Sequence, residues 1–138
     1  MATRKLGFTQ LIDTIYDRID TDVLTSDYRV YNHVPDNTTL PYVVVGTPIG
    51  TRSDSLGACD IEGQDNIIHI HVWSDYYGEK EVTTMMDKIV QAIHGTTLSI
   101  EGYTPVLPLF EFSEVLLDET ESARPIRHGV IRWRVVMA

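Results

Sequence analysis

Asn66-Ile67-Ile68-His69-Ile70-His71-Val72-Trp73, with the residues that follow it to Gly95, decides the fold. Side chains alternate across a strand, so Ile68, Ile70 and Val72 share one face and Ile67, His69, His71 and Trp73 the other. The run breaks at Ser74-Asp75. From there Val82, Met85, Met86, Ile89, Val90 and Ile93 recur at the three-and-four spacing of one helix face, and a helix is expected to continue to His94. Gly95 follows the last apolar turn, where a left-handed stop usually sits. Each side chain of that stripe contributes about 1.5–3 kcal/mol when fully buried, so the helix must lie on something apolar. The strand just before it is the nearest candidate.

Upstream, Phe8, Leu11, Ile12, Ile15, Tyr16 and Ile19 make another helical stripe, which predicts a helix near residues 6–20. Arg29 to Val34 reads as a short extended piece closed by Pro35, and residues 36–39 are turn formers. Tyr42-Val43-Val44-Val45 reads as a buried strand behind Pro41, ended by Gly46 and Pro48. Ile49 to Asp65 has little periodicity and contains Gly50, Gly57 and Gly63. It is expected to be a long loop with an extended arm around Ala58–Ile61, and such loops inside compact domains are usually functional or disordered.

Downstream, residues 97–100 allow a brief strand, and Pro105 and Pro108 exclude a regular central strand between them. Leu109 to Leu117 is strand-like. Residues 118–125 are polar and acidic and predict a hairpin loop. Ile131, Trp133 and Val135 then alternate with Arg132 and Arg134. The expectation is a single α+β domain over residues 1–138, with a small, mainly antiparallel sheet and two helices packed on one face. The opposite sheet face then carries Ile67, His69, His71, Trp73, Arg132 and Arg134. Aromatics and arginine among aliphatics make that face resemble a protein interface.

The composition is that of an ordinary soluble globular chain: 138 residues, 43% hydrophobic, 22% charged. The formal net charge is -9, with 20 acidic against 11 basic residues. That balance argues against a phosphate-backbone binder or an anionic membrane surface as partner. No apolar run reaches membrane-span length, and no apolar segment follows the basic N-terminus, so synthesis in a cytosol is expected. The one cysteine, Cys59, has no partner for an internal disulfide or a zinc site.

His69 and His71 are the best metal candidates, because alternate strand residues can share an ion, with Asp60, Asp65 or His128 adding a ligand. A metal-binding module or metal-dependent enzyme is the functional alternative they raise. A sheet face whose histidines hydrogen-bond their neighbours accounts for the same residues. No Gly-x-Ser-x-Gly elbow and no Gly-Lys-Ser/Thr phosphate loop is present. Cys59 has no neighbouring base to activate it. Neither a catalytic residue nor a cofactor is expected. Arg132 and Arg134 are expected to pair with carboxylates on a neighbour.

Arg29-Val30-Tyr31-Asn32-His33-Val34-Pro35 followed by Leu40-Pro41-Tyr42-Val43-Val44-Val45-Gly46 resembles the opening of the tail-completion proteins of long-tailed bacteriophages, also called tail terminators. The likeness continues through His69-Ile70-His71-Val72-Trp73-Ser74, Gly78 and the helix to Ile93. It closes on Arg127-His128-Gly129-Val130-Ile131-Arg132-Trp133-Arg134. Together these cover about residues 8–136. The resemblance implies a phage or prophage virion protein, made in the bacterial cytoplasm and ending in the virion tail. It implies a small α+β subunit that joins copies of itself in a ring, usually a hexamer, on the end of the tail tube. Such a ring stops tube growth and docks to the head connector, with no enzymatic activity, cofactor, membrane or sequence-specific nucleic acid involved. Another neck or minor tail protein is the near alternative. The expected interface residues are His69, His71, Trp73, Arg132 and Arg134 on the sheet, with Arg52 and Asp54 from the long loop.

Overall fold

The computed structural model describes residues 7–22, 29–35, 40–53, 63–75, 78–95, 97–98, 108–118 and 126–137. Its central strand, β4 (numbered in chain order), spans Gly63–Ser74. Gln64, Asn66, Ile68, Ile70, Val72 and Ser74 are buried on one face of it, and Asp65, Ile67, His69, His71 and Trp73 are half-buried on the other. This is the alternation the sequence predicts, carried further toward the N-terminus.

The remaining elements are α1 (Phe8–Asp22), β1 (Arg29–Tyr31), β2 (Tyr42–Val45), β3 (Ile49–Ser53), α2 (Lys80–Ile93), β5 (Leu109–Asp118) and β6 (Ile126–Met137). They form a six-stranded sheet in the order β1-β2-β4-β6-β5, with β3 pairing on β4 beside β2. Every pairing is antiparallel except β1 with β2, which is parallel. The expected α+β class holds: two helices and a mostly antiparallel open sheet.

Both helices bury their predicted stripes. Leu11, Ile15 and Ile19 of α1 and Val82, Met85, Met86, Ile89 and Ile93 of α2 are buried with Ile68, Ile70, Val72, Ile131, Trp133 and Val135 of the sheet. Val90 is only half-buried, and Ala92 takes a buried place on α2 instead. Arg18 joins the two helices by donating from Nε to the Ala92 carbonyl at 3.0 Å.

Polar contacts position α2. Ser74, the last residue of β4, donates to Glu81 Oε1 at 2.6 Å. Arg127 of β6 lies 3.4 Å from Glu79 at the helix start. The helix ends where His94 becomes extended and donates its N–H to the Val90 carbonyl at 2.7 Å. Gly95 then takes φ +75°, the left-handed stop its sequence position predicts. At Gly129 of β6, an added Cβ would lie 2.5 Å from Met86 Sδ and 3.1 Å from Val82 Cγ2. The missing side chain is what lets α2 seat on the sheet there.

The expected loop over Ile49–Asp65 is corrected. Ile49–Ser53 is strand β3, paired with β4 from Ile49 against Ile67 to Ser53 against Gly63, and β4 begins at Gly63 rather than Asn66. Two polar residues hide this in the sequence. Gln64 and Asn66 occupy the buried face and satisfy each other, Gln64 Nε2 donating to Asn66 Oδ1 at 2.7 Å. Backbone pairing therefore continues where the apolar alternation stops. The arm around residues 58–61 and the hairpin loop at 119–125 lie outside the described residues. Smaller corrections concern boundaries: α1 runs Phe8–Asp22, the piece expected over Arg29–Val34 is a strand only to Tyr31, and β5 reaches Asp118. Of the strand expected at 97–100, Leu98 makes an isolated bridge, and Ser99 and Ile100 lie outside the described residues.

Candidate functional site

The sheet face away from the helices is built by register. Across β4 and β6, Trp73 stands opposite His128, His71 opposite Val130, His69 opposite Arg132 and Ile67 opposite Arg134. Directly opposed residues point to the same side, so all of them share the open face. Across β2, Tyr42 opposes Trp73 and Val44 opposes His71.

A chain of ring contacts runs over this face. Trp73 and His128 are stacked, with ring centroids 3.8 Å apart and planes 5° from parallel. His128 lies 5.0 Å from His71, and His71 lies 6.3 Å from His69. His71 Nδ1 and His128 Nε2 are 2.8 Å apart. One of those nitrogens must carry the proton and the other must accept it, so the contact needs at least one neutral ring. Burial lowers the His71 pKa, and the charges that His128 and His69 would carry lower it further.

The arginines are engaged within the chain. Arg134 forks onto the Asp65 carboxylate: Nε lies 2.8 Å from each oxygen, and the second guanidinium nitrogen bonds Oδ2. That hydrogen bond and the carboxylate charge raise the Arg134 pKa. Arg132 pairs with Glu111 Oε2 at 3.3 Å and lies 5.4 Å from the Phe112 ring centroid. The structure therefore brings His69, His71, Trp73, Arg132 and Arg134 together on one half-buried face. Arg52 stands opposite Gln64 in the β3–β4 register, but its side chain, like all of Asp54, lies outside the described residues.

Among the described residues no group of three His, Cys, Asp or Glu side chains is arranged to hold a metal. Asp65 is committed to Arg134, and His71 Nδ1 and His128 Nε2 to each other. Asp60 and Cys59 lie outside the described residues.

Sequence reasoning found the β5 strand but missed it as a surface. Leu109, Phe110, Phe112, Leu116 and Leu117 are all exposed. A register shift between Phe110 and Phe112 leaves Glu111 as the extra residue, so β5 presents apolar side chains on both of its faces. Phe110 and Val115, with Met86 and Val90 of α2, line a groove of about 500 Å³ on the helix side. The signal was present in Leu-Phe-Glu-Phe-Ser-Glu-Val-Leu-Leu, which lacks the polar alternation of a half-solvated strand.

The family model described as tail completion protein gp17 matches residues 13–138. No curated protein matches the chain. Among solved structures, a chain from the virion of the native gene transfer agent particle is similar at TM-score 0.71 and 16% identity, over 97% of this chain and 100% of that one. The gp17 protein of bacteriophage SPP1 is similar at TM-score 0.66 and 18% identity, over 100% of this chain and 96% of that one. At such identities the two structures establish a shared fold.

Proposed function

The chain belongs to the tail completion protein gp17 family, a structural part of the phage tail and so of the virion, and on that premise we propose that it caps the tail tube as a ring. The ring ends tube growth and presents the surface to which the head connector docks. Six copies is the expected number. The partners are then a second copy of the chain, the tube protein and the connector, and the role is assembly rather than catalysis. The chain is made in the bacterial host's cytoplasm before it joins the virion. The single observation that carries this reading is the family match, which covers nearly the whole domain rather than a fragment of it.

Two physical features support it. A ring closes by rotation, so each subunit needs two different sticky surfaces. The apolar β5 strand and the opposite sheet edge, with its exposed Ile49 and Arg29, are distinct surfaces of that kind. The net charge of -9 also suits a wall past which DNA travels without sticking.

Light scattering on the purified protein, alone and mixed with its connector and tube proteins, tests this. Ring-sized species in any of these mixtures are expected. A chain that stays monomeric in all of them and binds neither partner would overturn the reading.

A further inference from the structure

The exposed large hydrophobic side chains among the described residues lie on the outer strands of the sheet rather than at its centre. Ile49 sits on β3 at one side, and Leu109, Phe110, Phe112, Leu116 and Leu117 sit on β5 at the other, each between 41% and 58% exposed. Among the described strands, β5 pairs only with β6. This ten-residue edge strand has apolar side chains on both faces and neither Pro nor Lys; the guards it does carry are the bulge at Glu111 and its acids, which oppose a like-charged neighbour but not a basic one.

The two edges carry opposite charge. The β5 sequence holds Glu111, Glu114 and Asp118 and no base. The opposite edge holds the exposed Arg29 in β1, a strand without an acid. Strand direction fits as well. β2, β3 and β6 all run against β4, β1 runs with β2, and β5 runs against β6. A copy placed beside the first with the same face up therefore sets β5 antiparallel to β1, the stronger kind of ladder.

Cross-strand rows give the register. Leu109, Arg134, Ile67 and Ile49 form one row, and Leu116, His128, Trp73, Tyr42 and Arg29 another. β1 lies one strand further out than β3, so row-matched addition sets the Glu114–Leu116 end of β5 beside the next copy's Arg29–Tyr31. A two-fold pairing of β5 with β5 is also antiparallel, but it brings together two strands that hold acids and no base, and like charges across strands repel.

The geometry points to β5 of each subunit docking on β1, the outermost strand at the opposite edge, of a second copy, so that one sheet continues from subunit to subunit. This rests on the ring reading above and names its surfaces. The half-buried histidine–tryptophan face is then left for a different contact.

Glu114 and Arg29 are exposed, so reversing their charges tests the pairing without disturbing the core. Glu114→Lys and Arg29→Glu are each expected to weaken self-association by about tenfold or more, and the double variant to recover most of it. Hydrogen exchange on the wild type should show β5 amides gaining protection on assembly. Should the wild type form rings that both single variants form equally well, with β5 amides still exchanging freely, the edge contact is overturned and the ring survives. A wild type that never self-associates, even on tube ends, overturns both.

Discussion

Trp73 of β4 lies flat on His128 of β6, ring centroids 3.8 Å apart, and His128 in turn holds His71 through a 2.8 Å nitrogen–nitrogen contact. The open face is thus a layer of rings satisfied by one another, with its arginines already paired to Asp65 and Glu111.

That layer makes stability depend on pH. Unfolded His71 titrates near the ordinary 6.5, and folded His71 lower, because burial and two neighbouring histidines oppose its charge. Between the two values the unfolded chain binds the extra proton, so acid favours unfolding. The contribution is complete above 6.5, is lost as pH falls through that value, and levels off below the folded pKa. Melting temperatures from about pH 8 to about pH 5 should fall further for the wild type than for His71→Gln. Identical pH dependence in the two would refute this role for His71.

Gly129 lies under α2, where an added Cβ meets Met86 Sδ at 2.5 Å. Gly129→Val should destabilise by about 1–3 kcal/mol, since overpacking forces side chains off their rotamers. Shortening Met86 to Ala in the same chain should return part of that loss, because the two sites share the space. Urea unfolding of the single and double variants measures it. Strict additivity would mean that helix and strand do not meet at this point.

Asp65 and Arg134 form a forked ion pair at a partly exposed position. Asp65→Asn should cost about 1 kcal/mol or less, because the freed guanidinium can still reach water. A double-mutant cycle with Arg134→Gln isolates the coupling. A coupling of several kcal/mol would place this pair in a far drier setting than its exposure indicates.

His71 and His128 direct a ring nitrogen at each other rather than at an ion. Adding zinc should leave the melting temperature of the wild type unchanged, and elemental analysis should find no stoichiometric metal. A zinc-induced rise that vanishes in the His69→Ala, His71→Ala double variant would restore the metal-binding alternative.

Periodicity made the two helices and the two long core strands legible, because Val82 to Ile93 and Ile68 to Val72 each keep one period over several repeats. The shared face of His69, His71, Trp73, Arg132 and Arg134 followed from alternation alone once β4 and β6 were placed side by side. β3 was illegible because Ile-Gly-Thr-Arg-Ser has no apolar alternation, and its place comes from backbone pairing with β4. The in-chain partners of the arginines were illegible for a related reason: Glu111 meets Arg132 through a register irregularity that no spacing rule announces. The apolar β5 was visible as a strand, but its place at the sheet edge, which makes it an adhesive surface, is a property of topology.

Electron micrographs of tail tubes polymerised with and without this protein test its capping role most directly. Tubes should stop at a uniform length when it is present, each bearing one ring of extra density at a single end, and should run on past that length without it. Bare ends and an unchanged length distribution in its presence would contradict the account.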